Sequence, residues 1–460
     1  MRSSHSAGRT RARFDDPNLV SHAGLGPLVR LAENIDMAGL ADELVRLGGS
    51  AGANAGAKIT TIVAGMCTGA DSIDDLDQLR HGAMHKLFHG IRAPSTIGTF
   101  LRWFSIGHVA QVEKLAATAL ARLAAQTPLL SGAEELAFLD LDSKLTPVFG
   151  RTKQGAKFGH KKIRGLDFLA ATLSTPDRAP VITHTRLRGG NADTRRKVTS
   201  FATHALRVAR DCGATATVLV RGDSGFYVGK LIAALVAEGV LFSVTARWST
   251  ALARAVTAID EHAWTAVTYD TPVHDEHTGE AIHTAQIAET SHTAFTNPTN
   301  NPGQKTTARL IVRRTRATTV TDQGELFPTW RYQAIFTNSP VDLRTAHDQH
   351  YGRAGSIEHV FADLNNSALA HFPSAHFAAN AAWLTLAALA HNLTRAAGVL
   401  AGGTHTRART TTLRHQLINI AARISRTART ITWHLPQHWP WQHGWQQLFT
   451  ATHHPPPATA

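Results

Sequence analysis

The chain has 460 residues, 43% of them hydrophobic, which is enough to bury a large core and form several domains, and this excludes an intrinsically disordered protein. Its formal charge of +13 points to a polyanionic partner, nucleic acid first. Cys67 and Cys212 are its only cysteines, too few for a disulfide framework or a cysteine-based zinc module, and no run reaches the roughly 18 apolar residues of a membrane span. The basic N-terminus has no apolar stretch behind it, so it does not read as a secretory signal, and the cytoplasm is the expected compartment. The 27 histidines do not follow metal-site spacing; they accompany a general enrichment in Ala, Thr and Arg.

Residues 1–27 are mostly polar and read as a loose basic arm. From 28 to about 130 the apolar spacing is helical: LVRLAENIDMAGLADELVRL and QVEKLAATALARLAAQ repeat at three and four residues. Between them, a Pro-Ser-Thr start signal precedes IGTFLRWFSI. A helical unit of this size suits a DNA-binding domain or an ordinary helical bundle. Near residue 135 the pattern changes to the apolar runs and alternation of strands. LAFLDLDSKLTPVFG, GLDFLAATLST and APVITHTRLRGG read as three consecutive strands. A helix (TRRKVTSFATHALRVARDCG), a buried strand (TATVLVRGD), a second helix (GKLIAALVAEG) and the strand LFSVTAR follow. This order predicts a mixed α/β core of ribonuclease-H-like topology over 135–245 and 346–400. Residues 246–345 read as a mostly β insertion, with EAIHTAQIAET, TARLIVRRTRA and TWRYQAIFTN separated by turn-rich stretches. Helical periodicity returns at about Ser356. From 364 to 460 there is no Asp or Glu and there are seven arginines, a composition suited to phosphate contact, and 401–460 is taken as a basic C-terminal region.

Three acids stand out. Asp142 ends the run LAFLDLD, Asp223 ends TATVLVRGD, and Glu358 lies in the helical stretch SIEHVFADL. Two carboxylates at strand ends and one on a later helix suit a pair of hard divalent cations beside a phosphodiester. Asp140 shares a strand face with Asp142 and competes with it; Asp142 is favoured for its place nearer the strand end and the Ser143 that follows. Asp363 competes less well with Glu358, being off its helical face. After Asp142, the segment RTKQGAKFGHKKIRG carries Arg151, Lys153, Lys157, Lys161, Lys162 and Arg164 with no acid among them. It suits backbone phosphates, or alternatively a solvated edge that discourages aggregation. Arg221 and Asn191 are candidates for supporting the site. Trp248 and Trp330 are candidates for stacking on an extruded base, with core packing the plainer role.

At these residues the sequence resembles the DDE transposases of bacterial insertion sequences, in particular the group numbered thirteen-eighty. The shared elements are DLDS at 140–143, FGRTKQGAKFG at 149–159, RGDSGF at 221–226, Tyr351, SIEHVFADL at 356–364 and HFPSAHFAANAAWL at 371–384. The resemblance implies a ribonuclease-H-like core interrupted by a β insertion, a triad of Asp142, Asp223 and Glu358, and Mg²⁺ (or Mn²⁺) ions held by it. Two such ions are the expected number. The resemblance further implies double-stranded DNA as partner (terminal inverted repeats and target), a homodimer in the DNA-bound complex, and a place at the bacterial nucleoid. Tyr351 lies seven residues before Glu358, as the related signature requires. The Arg expected at 354 is Ala, with Arg353 one position away; the Lys expected at 365 is Asn; and Lys144 stands where Thr is common. Tyr351 and Arg353 join the expected DNA contacts. Another ribonuclease-H-like nuclease, such as a junction resolvase, and a catalytically impaired DNA-binding derivative are the competing readings.

Overall fold

A computed structural model describes residues 1, 3–159, 162–193, 195–274, 281–320 and 326–454. The longer helices that open the chain are α1 (Leu25–Asn34), α2 (Met37–Leu44), α3 (Ala55–Thr68), α4 (Pro94–Arg102) and α5 (Ile106–Gln126). The start of α5 is set by a capping box: Ser105 accepts from the His108 N–H while the His108 ring takes the Ser105 N–H. The Pro-Ser-Thr signal begins α4 with Pro94 in its first turn, where a missing N–H costs nothing.

The alternating and apolar runs then form β1 (Leu136–Pro147), β2 (Arg164–Thr175) and β3 (Arg178–Gly189), joined as antiparallel neighbours. After α6 (Val198–Asp211), β4 (Thr217–Gly222) enters parallel to β1 on the side away from β2. After α7 (Gly229–Ala237), β5 (Leu241–Thr245) adds in parallel beside β4. The turn-rich stretch yields α8 (Thr250–Thr257) and four long strands: β6 (Thr265–His274), β7 (Ala281–Ala294), β8 (Thr306–Val320) and β9 (Leu326–Thr337). These strands continue the same sheet. Residues 335–337 of β9 pair antiparallel with 243–245 of β5, so the order is β3–β2–β1–β4–β5–β9–β8–β7–β6. A short strand, Lys157–Phe158, pairs with Arg164 and Gly165 beyond the end of β3.

Two helices follow on the Asp142 face: α9 (Leu343–Tyr351) and α10 (Ala354–Asn365). Strand period two puts Asp140, Asp142 and Lys144 on one face of β1. Phe361 of α10 packs edge-on against Phe168, the register partner of Lys144, which fixes α10 over that face. The opposite face is covered by α6, whose Phe201 lies against His184 on β3.

The 25-residue helix α11 (Phe377–Ala401) is apolar nearly all round and is buried all round, as such a helix must be. It packs on β3, where the Asn392 amide takes the N–H of Ile182 and donates to its carbonyl, closing the exposed ladder of an edge strand. It also packs on α3, α5 and the final helix α12 (Gln442–His453). The two ends of the chain therefore meet. Leu19 and Val20 pair with Arg423 and Ala422, and α12 lies against α1, so segments read as a loose arm and a separate basic tail share one helical body. Among the described residues no helix is long and apolar enough to cross a membrane.

Candidate active site

The register of the parallel pair places two of the three acids. Leu141 lies opposite Gly222, so Asp142 and Asp223, the next residue on each strand, sit side by side where β4 ends. Adjacent strands run about 4.8 Å apart, so two aspartates with no common sequence neighbourhood share one locus. Asp223 caps a single 3₁₀ turn, Ser224–Phe226, and its carboxylate accepts the Gly225 N–H at 2.8 Å. Gly222 is required there: a Cβ would come within 2.9 Å of Phe226 Cβ, at the bend that presents Asp223. Glu358 is exposed on α10, above the same face of β1.

Asp142 registers all its neighbours. Its side chain is 18% exposed, and burial pushes its carboxyl up to about 7. The Arg353 guanidinium pulls the other way, Asp223 adds to the rise, the Ser143 N–H opposes it, and Glu358 adds again. The Ser143 N–H bonds Oδ1 at 2.6 Å, and Arg353 Nη1 stands 3.4 Å from Oδ2. Lys144, two residues on, holds its ammonium over the Phe361 ring at 5.3 Å; burial lowers its pKa and Asp142 raises it. Asp142 thus feels two further carboxylates, Asp223 and Glu358, and two nearby cations, Arg353 and Lys144.

Asp140 is otherwise engaged. It is fully buried and receives Arg221 Nε at 2.5 Å and Nη2 at 2.8 Å, a fork on the adjacent strand. Arg221 also donates to the Gln349 carbonyl at 2.5 Å and covers the Phe138 ring at 4.2 Å. Expected to support the site and contact DNA, Arg221 is instead a buried tie between β1, β4 and α9, with no face open to a phosphate. Asp363 is likewise structural, bonding Arg409 at 2.7 Å and the Thr410 N–H at 3.1 Å and pinning the C-terminal segment to α10.

The remaining expected DNA contacts divide. Arg151, Lys157 and Lys162 are solvent-facing on the hairpin between β1 and β2. Lys153 donates to the Phe372 carbonyl, and Arg164 to the carbonyls of Gly150 and Arg151, so these two hold the hairpin in shape. Lys161 lies outside the described residues. Tyr351 points to the insertion: its hydroxyl donates to Gln333 at 3.1 Å and Arg313 covers its ring at 4.1 Å. Arg353 is buried beside Asp142, a contact that its one-position offset from the signature concealed. Trp330 lies under Arg314 and Arg316, Trp248 is exposed and stacks on Tyr332, and Asn191 is exposed in the turn after β3.

The donor set suits a hard divalent cation: carboxylate oxygens that repel one another and a proton on Asp142 that such a cation would displace. In this arrangement, among the described residues, no three acidic, histidine or cysteine groups stand close enough to share one ion, and Arg353 supplies the positive charge beside Asp142.

Comparison with known proteins agrees with this chemistry. The comparison with curated proteins returns no match. A family model described as transposase DDE domain, group 1, matches residues 3–455, which is nearly the whole chain. The chain therefore belongs to the DDE transposase family, whose members act on DNA with divalent metal ions.

Proposed function

We propose that this protein is the transposase of a bacterial insertion sequence of group thirteen-eighty. It binds the terminal inverted repeats of its element, cuts the DNA there, and joins the freed 3′-hydroxyl to target DNA. The observation that carries this reading is the side-by-side placement of Asp142 and Asp223 across the β1–β4 register, with Glu358 acting on Asp142 from α10. The sheet order supports a ribonuclease-H-like core: three antiparallel strands, then two parallel ones reached through helices. Asp142, Asp223 and Glu358 would hold Mg²⁺ or Mn²⁺, two ions in the full complex. Bound there, the metal would activate the attacking oxygen and neutralise charge on the phosphate.

The chain's own residues do the rest. Asp142 holds a proton near neutral pH without metal and releases it when a cation takes its place. Arg353, 3.4 Å from Asp142, opposes the rise of that carboxyl's pKa and favours the ionised carboxylate that a cation would need. Arg151, Lys157 and Lys162 bind backbone phosphates from the hairpin, and the exposed Arg407, Arg423, Arg426 and Arg429 extend the basic surface. Two ends must be held together for joining, so the DNA complex is a homodimer.

The test is an assay on linear DNA carrying the sequences that flank the reading frame, with and without Mg²⁺. Metal-dependent nicking that leaves 3′-hydroxyls, followed by joining, is expected from the wild type and not from Asp223→Asn. Equal behaviour of the two proteins removes the proposal.

A further inference from the structure

The hairpin that joins β1 to β2 carries more than charge. From Phe149 to Leu166 there is no acid, and the described cations include the exposed Arg151, Lys157 and Lys162. Yet Phe149 is 89% exposed, Phe158 68% and Ile163 43%. Large apolar side chains in a cationic tip gain nothing in water and suit insertion into something both apolar and anionic.

The segment 150–155 of the hairpin is tied down. Gln154 accepts the Phe377 N–H through its side chain at 3.0 Å and donates its own N–H to the Ala375 carbonyl at 2.9 Å, tying the tip to the start of α11. Gly155, at φ +79°, leaves no room for a side chain against Phe377. The Arg164 fork braces the turn at Gly150 and Arg151. Pairing fixes the apolar positions as well. Val148 bonds Arg164, so Phe149 follows on toward Ile163, while Phe158 is the register partner of Arg164. Phe158 lies in the short strand, and Phe149 and Ile163 stand just outside the paired residues, so exposed apolar groups are interleaved with the hairpin's cations. A base stack between phosphates offers both partners at once.

From Asp142 to Pro147 is five residues of β1, about 17 Å at 3.3 Å per residue, or roughly five base-pair steps of a duplex. We propose that this hairpin distorts the DNA it grips: Phe149 and Phe158 enter the base stack a few base pairs from the phosphate at Asp142 and unstack it, while Arg151, Lys157 and Lys162 hold the flanking phosphates. The proposal rests on the transposase reading and adds to it a way of opening the duplex beside the cut.

The experiment uses full-length protein on duplexes carrying the flanking ends, with permanganate to report unstacked thymines. Wild type is expected to make thymines within a few base pairs of the cut hyperreactive. The double variant F149A/F158A is expected to lose that reactivity and to cut 10- to 100-fold more slowly, with an unchanged salt dependence of binding. A mismatch built into the same step should restore its cutting, a rescue that a misfolded variant cannot show. The variant K157A/K162A should bind more weakly at every sequence, yet produce the reactive thymines once saturated. Wild-type reactivity and cutting in F149A/F158A overturn the proposal, as does loss of cutting that a mismatch does not restore. So does a variant that loses only self-association and keeps the reactive thymines. Wild-type protein that binds and cuts without any reactive thymine overturns this proposal alone; wild-type protein that binds no end DNA overturns the transposase reading with it.

Discussion

Arg353 stands with Nη1 3.4 Å from Oδ2 of Asp142, both side chains largely withdrawn from solvent. The acid that ends the first apolar run thus meets, within the protein, a cation sixteen residues after β9 ends. In a half-buried carboxyl cluster such a cation lets the metal-free protein fold without stacking three unopposed negative charges.

Removing that cation should be visible directly. In Arg353→Gln the only guanidinium opposing the rise at Asp142 is gone, while burial, Asp223 and Glu358 remain. Carbon NMR of the metal-free variant is expected to show the Asp142 carboxyl titrating above the wild-type midpoint of about 7. An unchanged or lower midpoint would mean that Arg353 does not set the charge of this acid.

The same group makes metal-free stability depend on pH. Its folded midpoint is about 7 against an ordinary 3.8, so between those values the folded protein keeps a proton that the unfolded chain has released. Its contribution is fully present below about pH 4 and is lost as the pH rises through about 7, a change of roughly 2 to 4 kcal/mol. Asp142→Asn is expected to flatten this part of the profile in urea melts and to be more stable than wild type at pH 8. A wild-type profile that rises from pH 4 to 7, with no difference in the variant, would contradict it.

Arg221 should behave as a structural residue. Arg221→Leu leaves the fully buried Asp140 without its fork and should cost about 3 to 5 kcal/mol in chemical denaturation. The double variant D140L/R221L should recover much of that loss, because the uncompensated charge is gone. A single variant as stable as wild type but weaker on DNA would return Arg221 to the phosphate contacts.

Gly222 is a second point where folding and chemistry meet. Gly222→Ala puts a methyl within 2.9 Å of Phe226, and the relief must come from the turn that Asp223 caps. The expected result is a loss of about 1 to 3 kcal/mol in stability and a cleavage rate that falls more than binding does.

Much of this was legible in the sequence because strands buried on both faces read as apolar runs. LAFLDLD and TATVLVRGD announced both strands, and Asp223 follows the end of its strand as expected; Asp142 instead lies inside β1, five residues before its end, because the pairing continues through SKLTP. Period two placed Asp140 and Asp142 on one face but named no partner for either. That Asp140 belongs to Arg221 depends on a register between strands about eighty residues apart. The helix carrying Tyr351 and the strand 265–274 went unread: the first is short and mostly polar, the second rich in Thr. The meeting of the chain ends around α11 was equally hidden, since a helix that is apolar all round does not say which surfaces it will unite.

The most direct test asks whether Asp223 ligates a metal. Cys67 and Cys212 are both buried and unpaired, so a new thiol at 223 is distinguishable from them. A thiolate is a poor ligand for Mg²⁺ and a better one for softer ions. Asp223→Cys is expected to abolish cleavage of end DNA in Mg²⁺ while leaving binding intact, and to regain it in Mn²⁺. Cleavage in Mg²⁺ at the wild-type rate would contradict a metal centre built on Asp142, Asp223 and Glu358.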